Sequence, residues 1–157
     1  MLKELVEKGR VAFSDAALSW EDAVEQSCEV LIKQGAVEPS YPKDIIKMVK
    51  QYGPYIVIAP HIAIPHAQEG NGVNETALAF FKTTQPVQFP ASDHGKPEDY
   101  QANLFFVLAS CNNEEHLNNL MALSDQLSDE EFVSDLLKAT TTEDLLKAEE
   151  SYHQRPH

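Results

Sequence analysis

Residues 103–110 read NLFFVLAS, and residues 77–82 read ALAFFK. Both are unbroken apolar runs of the length expected for strands that are buried on both faces. Such strands require helices above and below the sheet, because each face must be covered by apolar side chains. The two runs therefore predict an α/β fold, a single layered domain with a central mixed β-sheet covered by helices on both sides.

Helical patterns precede these runs. Residues 19–35 contain a capping serine, Ser19, a helical apolar stripe, and Gly35, which can end the helix in a left-handed conformation. A second helix is predicted from Pro42 to Tyr52, because proline is tolerated in a first turn and Gly53 follows the stripe.

Three more helices are predicted after residue 111, and we assign residues 1–150 to one domain and 151–157 to a flexible C-terminal tail. The expected N-terminal caps are Asn112 or Asn113, Ser128 in a capping box with Glu131, and Thr141 or Thr142. The apolar residues expected to pack the first of these helices are Leu117, Leu120, Met121 and Leu127.

The remaining segments are shorter. Residues 55–59 read YIVIA, which predicts one strand that leads through Pro60 into a constrained turn, HIAIPHA, at residues 61–67. Residues 85–100 predict a short strand near PVQF followed by an exposed loop that contains His94.

Composition excludes several functional classes. The chain has 25 acidic and 12 basic residues, so its net charge of -13 argues against nucleic acid as a partner. No stretch approaches the roughly 20 apolar residues of a membrane span, so we expect a soluble cytoplasmic protein without direct membrane insertion. Cys28 and Cys111 form no CxxC pair and are expected to be small buried residues in a reducing compartment.

Histidine can carry a phosphoryl group near neutral pH, because its neutral imidazole is a nucleophile there and can later act as a leaving group. His66 follows Pro65, whose fixed φ and missing amide hydrogen stiffen the chain before it. A rigid histidine at a strand end suits in-line transfer. The spacing is also compatible with an ordinary structural or surface histidine.

A longer pattern of residues is specific enough to indicate a protein family. Residues 53–67 read GPYIVIAPHIAIPHA and residues 107–127 read VLASCNNEEHLNNLMALSDQL, with ALAFFK between them and GAVEPSY before them at residues 35–41. In this order, and over nearly the whole chain, they resemble the mannitol/fructose class of EIIA domains (EIIA type-2) of the bacterial phosphotransferase system (PTS). The similarity is greatest to the ascorbate-specific branch.

The resemblance implies a function. His66, in the family's PH[GA] motif, would be the phosphohistidine intermediate, and His116 would be the second histidine, which stabilises the phosphate at a helix N-terminus. The family's partners would be HPr as phosphoryl donor, a cysteine of EIIB as acceptor and, indirectly, the membrane EIIC transporter. The activity would be that of a transferase in sugar transport, with ascorbate or a related pentitol as the sugar and with no cofactor or metal.

Two departures from the family and two rival functions accompany this interpretation. His61 stands where related sequences commonly carry glycine, and Gln68 stands where many carry arginine. One rival is an EIIA-like regulatory protein whose phosphorylation state controls a partner. The other is a zinc hydrolase with His61, His66 and His116 as ligands.

Overall fold

The computed structural model describes residues 1–68 and 71–157. In these residues the chain forms, in order, α1 (Leu2–Glu7), β1 (Val11–Ser14), α2 (Trp20–Lys33), α3 (Ser40–Tyr52), β2 (Val57–Ala59), β3 (His61–Ala63), β4 (Ala77–Gln88), β5 (Gln101–Ala109), α4 (Asn113–Leu127), α5 (Glu130–Lys138) and α6 (Thr142–Gln154). A 3-10 turn, Pro97–Tyr100, precedes β5.

The five strands form one mixed sheet in the order β1-β4-β5-β3-β2. The two apolar runs that predicted the fold, in β4 and β5, pair antiparallel at its centre. Strand β1 runs parallel to β4, β3 runs parallel to β5, and β2 returns antiparallel to β3. The prediction of a mixed central sheet is confirmed.

Neighbouring phenylalanines of the central strands point to opposite faces, as strand geometry requires. The ring centroids of Phe81 and Phe105 lie 5.7 Å apart on the face covered by α2 and α3. The ring centroids of Phe80 and Phe106 lie 4.9 Å apart on the other face, which α1, α5 and α6 cover. Helices therefore cover both faces, as the continuous apolar runs indicated.

Most helix caps agree with the sequence. The side chains of Ser19, Asn112 and Thr141 each accept a hydrogen bond from the backbone N–H three residues later, at 3.2, 2.8 and 3.1 Å. The capping box predicted at Ser128 is wrong. Its hydroxyl bonds to the last turn of α4, and Asp129 caps α5 instead.

Two strand predictions need correction, and two short elements were missed. Residues 55–63 form not one strand and a turn but two short strands, joined at Pro60, because β3 pairs with β5 far away in sequence. The segment PVQF is not a separate strand. Strand β4 extends as far as Gln88 and so includes most of it, and the pairing of β4 with β5 has an irregular register between Lys82 and Val87. Helix α1 and strand β1 were not predicted, because six and four residues are too few to show a period.

The prediction that Leu117, Leu120 and Met121 pack inside is wrong. These side chains are 55%, 37% and 57% exposed. Helix α4 faces the protein through Leu123 and Gln126 instead. Leu127, which was predicted to pack, does lie against the apolar core.

The predicted tail from residue 151 begins as helix. Helix α6 continues to Gln154, and the ring of Tyr152 packs 5.2 Å from that of Phe132. Beyond the helix, the guanidinium of Arg155 forms an ion pair with Asp129 at 2.9 Å. These contacts hold the last helical turn against α5.

The two cysteines are free and differ in environment. Cys28 is buried as expected, and burial raises the pKa of its thiol to about 12. Cys111 is exposed rather than buried, because the chain leaves the sheet there, and its Sγ lies 3.3 Å from the Thr76 hydroxyl. In the described part of the chain, the structure contains no helix long and apolar enough to cross a membrane.

His61 adopts a left-handed conformation, with φ of 70°. This conformation costs a residue with a Cβ roughly 1–2 kcal/mol, which explains why glycine suits the position. The imidazole Nδ1 donates a hydrogen bond to Asn103 Oδ1 at 3.2 Å, which offsets part of that cost.

We predict that His61→Gly is more stable than His61→Ala by about 1 kcal/mol, since both variants lose the bond to Asn103 and only glycine is free of the strain. Urea unfolding midpoints measure the difference. Glu150, exposed on α6, provides the control, because alanine should there be more stable than glycine by about 1 kcal/mol. Equal stabilities at position 61 would contradict the strain argument.

Candidate active site

The carboxyl ends of two parallel strands bring the predicted histidines to one edge of the sheet. His66 follows the end of β3 by three residues, and α4, which carries His116, begins four residues after β5 ends. Because β3 and β5 are parallel neighbours, both segments leave the sheet at the same edge. In the described part of the chain, no hydrogen bond joins the two rings.

The ring of His66 is held in one tautomer. Its Nδ1 lies 2.7 Å from the carbonyl oxygen of Ile64, and a carbonyl oxygen can only accept. Nδ1 therefore carries the proton and donates it, and the neutral ring has its lone pair on Nε2. Because Nδ1 is engaged with the Ile64 carbonyl, Nε2 is the nitrogen with a lone pair for chemistry.

The backbone around His66 is fixed by hydrogen bonds from several elements. The carbonyl of Pro65 accepts from the N–H of Leu108 in β5 at 3.0 Å. The hydroxyl of Tyr41 accepts from the N–H of Ala67 at 3.3 Å and donates to the carbonyl of Leu108 at 3.1 Å. These bonds tie the histidine segment directly to the central strand, so the ring is positioned before any partner arrives.

Tyr55 holds His66 from a second side. Its hydroxyl donates to the His66 carbonyl, and its ring meets the imidazole edge-on at a centroid distance of 5.1 Å. Burial raises the pKa of Tyr55 to about 12 and also raises that of Tyr41. Both hydroxyls therefore stay protonated and able to donate at neutral pH.

His116 lies in the first turn of α4, behind the N-terminal cap Asn112. Its ring Nδ1 is buried and has no hydrogen-bond partner in the described part of the chain. A buried polar atom without a partner is costly and calls for an explanation. The helix dipole places partial positive charge at this end of α4, which favours an anion.

A crevice of about 250 Å³ lies beside the histidine segment, between Ala67, Gln68 and helix α3. Lys47 is the basic side chain among the described residues that line it. Asp44 of the same helix also lines it, so beside Gln68 the crevice contains one ammonium and one carboxylate group from α3.

The third candidate, His61, lies elsewhere. It is the first residue of β3, at the end of the strand away from Pro65, and its Nδ1 is bonded to Asn103. Within residues 1–68 and 71–157, no three or more His, Cys, Asp or Glu side chains are grouped so as to hold a metal ion. The histidine set proposed for zinc is not assembled there.

The sequence reasoning missed Tyr41, Tyr55 and Lys47. Both tyrosines lie within segments that carried the family resemblance, but a tyrosine in such a segment indicates packing as readily as positioning. The Tyr41 hydroxyl donates to Leu108 of β5, which lies 67 residues later in the chain, so no local pattern indicates that bond.

Comparison with known proteins decides the family. Residues 4–150 match the model of the family described as "Phosphoenolpyruvate-dependent sugar phosphotransferase system, EIIA 2". The chain belongs to this EIIA family. The protein is thus an EIIA component of a sugar phosphotransferase system, and EIIA components are phosphotransferases.

Individual relatives agree with this EIIA assignment. The ascorbate-specific PTS system EIIA component of Escherichia coli (strain K12) is 32% identical over 139 residues, which cover 88% of this chain and 87% of that protein. The cryptic mannitol-specific phosphotransferase enzyme IIA of E. coli superimposes with a TM-score of 0.81 at 25% identity, covering 94% of this chain and 96% of the other. The E. coli mannitol IIA in complex with phosphorylated mannitol IIB gives 0.73 at 26% identity, covering 90% and 94%.

Proposed function

We propose that His66 of this EIIA accepts a phosphoryl group from phospho-HPr and donates it to a cysteine of an EIIB component. The observation that carries the proposal is the hydrogen bond from His66 Nδ1 to the Ile64 carbonyl, which leaves the lone pair on Nε2. In the first step the Nε2–P bond forms while the N–P bond of the donor histidine breaks. In the second step a thiolate attacks phosphorus and the neutral imidazole of His66 leaves.

His116 would stabilise the transferred group. It belongs to a helix N-terminus at the same sheet edge as His66, and an imidazole at such a position suits an anion with three charged oxygens. Lys47, beside Gln68, would supply the positive charge that the arginine of many relatives would otherwise bring.

We further propose ascorbate or a related pentitol as the sugar, a cytoplasmic location and an indirect connection to a membrane EIIC. The ascorbate-specific relatives support the first of these. The two free cysteines suit a reducing compartment.

The partners would dock on the exposed face of α4. Leu117 directly follows His116, and with Leu120 and Met121 it presents apolar side chains to solvent near the histidine edge. Apolar side chains that form the centre of an interface exclude water from it, and a phosphoryl transfer between two proteins requires such exclusion. A partner that reaches His66 would cover them.

Substituting Leu117 by Asp should lower the second-order rate of transfer from phosphorylated EIIA to EIIB at least about tenfold, because the interface would bury an unpaired charge. The loss should appear in the dependence on EIIB concentration rather than in the rate at saturation. The side chain is exposed, so the fold should be unaffected.

Ala17→Asp is the matched control. Ala17 is exposed and follows the carboxyl end of β1, which lies at the opposite edge of the sheet from His66. It adds the same charge and should leave transfer unchanged. Equal second-order transfer rates in the two variants would show that α4 is not part of the docking surface.

The reconstituted system tests the function as a whole. Purified EIIA incubated with phosphoenolpyruvate, enzyme I and HPr should acquire an acid-labile phosphoryl group and lose it when EIIB is added. Labelling without any loss to EIIB would favour the regulatory alternative over transport.

A further inference from the structure

Tyr41 of α3 contacts both of the segments that lead to the site histidines. Its hydroxyl accepts a hydrogen bond at 3.3 Å from the N–H of Ala67, which directly follows His66. The same hydroxyl donates at 3.1 Å to the carbonyl of Leu108 in β5. Strand β5 is followed by α4, which carries His116. One hydroxyl group therefore joins the segment of the proposed phosphoryl acceptor to the strand that leads to the second histidine.

The backbone of Leu108 is engaged on both sides of its residue. Its N–H donates to the carbonyl of Pro65 at 3.0 Å, and its carbonyl accepts from Tyr41. Because Tyr41 also binds Ala67, these bonds close a ring around the segment that contains His66. Tyr41 is only 1% exposed, so solvent cannot replace its hydroxyl without entering the core. The hydroxyl thus fixes the His66 segment against β5.

Further hydrogen bonds connect the end of β5 to the first turn of α4. The Ser110 hydroxyl donates to the Asn112 carbonyl at 2.8 Å, and the Cys111 N–H donates to the Thr76 hydroxyl at 3.1 Å. The N–H of His116 donates to the same Asn112 carbonyl at 3.2 Å. A backbone that is held at each of these steps passes a shift of β5 on to His116.

Tyr55 supports the site in a different way. Its hydroxyl donates to the His66 carbonyl and also to the sulfur of Met48 in α3, at 3.8 Å. Within residues 1–68 and 71–157, no hydrogen bond joins the Tyr55 side chain to β5 or α4. Tyr55 therefore fixes His66 alone, which makes it a useful comparison for Tyr41.

We propose that Tyr41 is a positioning residue for phosphoryl transfer, with its hydroxyl setting the placement of His66 relative to His116. No hydrogen bond joins the two rings in the described residues, so their separation depends on the backbone segments that carry them. A misplacement of about 1 Å in such a site costs on the order of 10²-fold in rate. This inference rests on the proposed function, because it requires that His116 acts on the phosphoryl group.

The kinetic test uses Tyr41→Phe, which removes the hydroxyl and keeps the ring. Single-turnover transfer to saturating EIIB should be at least about tenfold slower than in the parent, while the EIIB concentration for half-maximal rate changes less than about twofold. In a His116→Ala background, the same substitution should change the saturated rate less than about twofold, because the group that Tyr41 places is absent. Tyr55→Phe should slow both backgrounds by the same factor.

Tyr100→Phe is the matched control. The Tyr100 hydroxyl is hydrogen-bonded to Ser92 at 2.6 Å, and Tyr100 precedes β5 at the edge of the sheet away from His66. This variant also loses one tyrosine hydroxyl and should transfer at the rate of the parent. A parental saturated rate in Tyr41→Phe, or equal slowing of the parent and the His116→Ala variant by Tyr41→Phe, would overturn the proposal.

Thr76→Val provides a second variant if Tyr41→Phe folds poorly. It removes the hydroxyl that accepts from the Cys111 N–H and leaves the buried core unchanged. The saturated rate should fall at least about threefold in the parent and less than about twofold in the His116→Ala background. Equal factors in the two backgrounds would contradict a placement of His116 through the end of β5.

An NMR comparison of the unphosphorylated, ¹⁵N-labelled proteins tests the geometry without the reaction. Tyr41→Phe should shift the amide signals of residues 65–68 and also those of 108–117, whereas Tyr55→Phe should shift mainly 65–68. If the shifts of residues 113–117 are no larger in Tyr41→Phe than in Tyr55→Phe, the proposal is wrong even when His66 becomes phosphorylated. A parent protein that acquires no phosphoryl group would instead reject the proposed function, and the NMR result would still decide whether Tyr41 couples the two segments.

Discussion

Replacing His66 by Ala is expected to abolish phosphorylation of the protein by phosphoenolpyruvate, enzyme I and HPr. The substitution removes the nucleophile, and the neighbouring groups that position the ring cannot replace it. In the parent protein, the phosphoryl group should be on Nε2, because Nδ1 donates its proton to the Ile64 carbonyl. NMR of the ¹⁵N-labelled imidazole identifies the phosphorylated nitrogen.

The fold should survive this change. His66 is half-buried and its ring makes one hydrogen bond within the described residues, so the free energy of unfolding should fall by only about 1 kcal/mol. His94→Ala, in the exposed loop, is the control and should be labelled fully. Full labelling of His66→Ala, or a phosphoryl group on Nδ1 in the parent, would reject the assignment of this atom as the acceptor.

Replacing His116 by Ala should leave His66 able to accept phosphate but slow the transfer on the order of 10²–10³-fold. This is the usual effect of removing one donor that stabilises charge in the transition state. Single-turnover transfer to saturating EIIB measures the chemical step apart from docking. The expected defect therefore differs from that of Leu117→Asp, which should disappear at saturation.

A purely structural His116 would behave differently. Its loss would shift the urea unfolding midpoint and leave the saturated transfer rate unchanged. His153→Ala, exposed on α6, is the matched control and should alter neither quantity. A saturated rate equal to that of the parent would exclude His116 from phosphate stabilisation.

The candidate site was only partly predictable. His66 and His116 were identified because they occur in motifs that resemble a family, not because their spacing is specific. The hydrogen bond that selects the tautomer of His66 is accepted by the carbonyl of Ile64, two residues earlier, and the carbonyl of Pro65 between them accepts from the N–H of Leu108 in β5. Contacts between residues more than 40 positions apart leave no periodic signal.

Local patterns in the sequence were sufficient for the buried strands and for most helix starts. A continuous apolar strand must be covered by apolar side chains on both faces whichever strands it pairs with, and a capping side chain bonds a backbone N–H three residues away. Residues close in sequence therefore determine both features. The direction in which a helix faces is different. The apolar Leu117 and Met121 suggested an inward face, whereas Leu123 and Gln126 occupy it. Packing between distant segments decides which strands pair, how α4 is oriented and that His66 and His116 share one edge of the sheet. The free energy of packing, summed over the whole fold, outweighs the preference of any single residue.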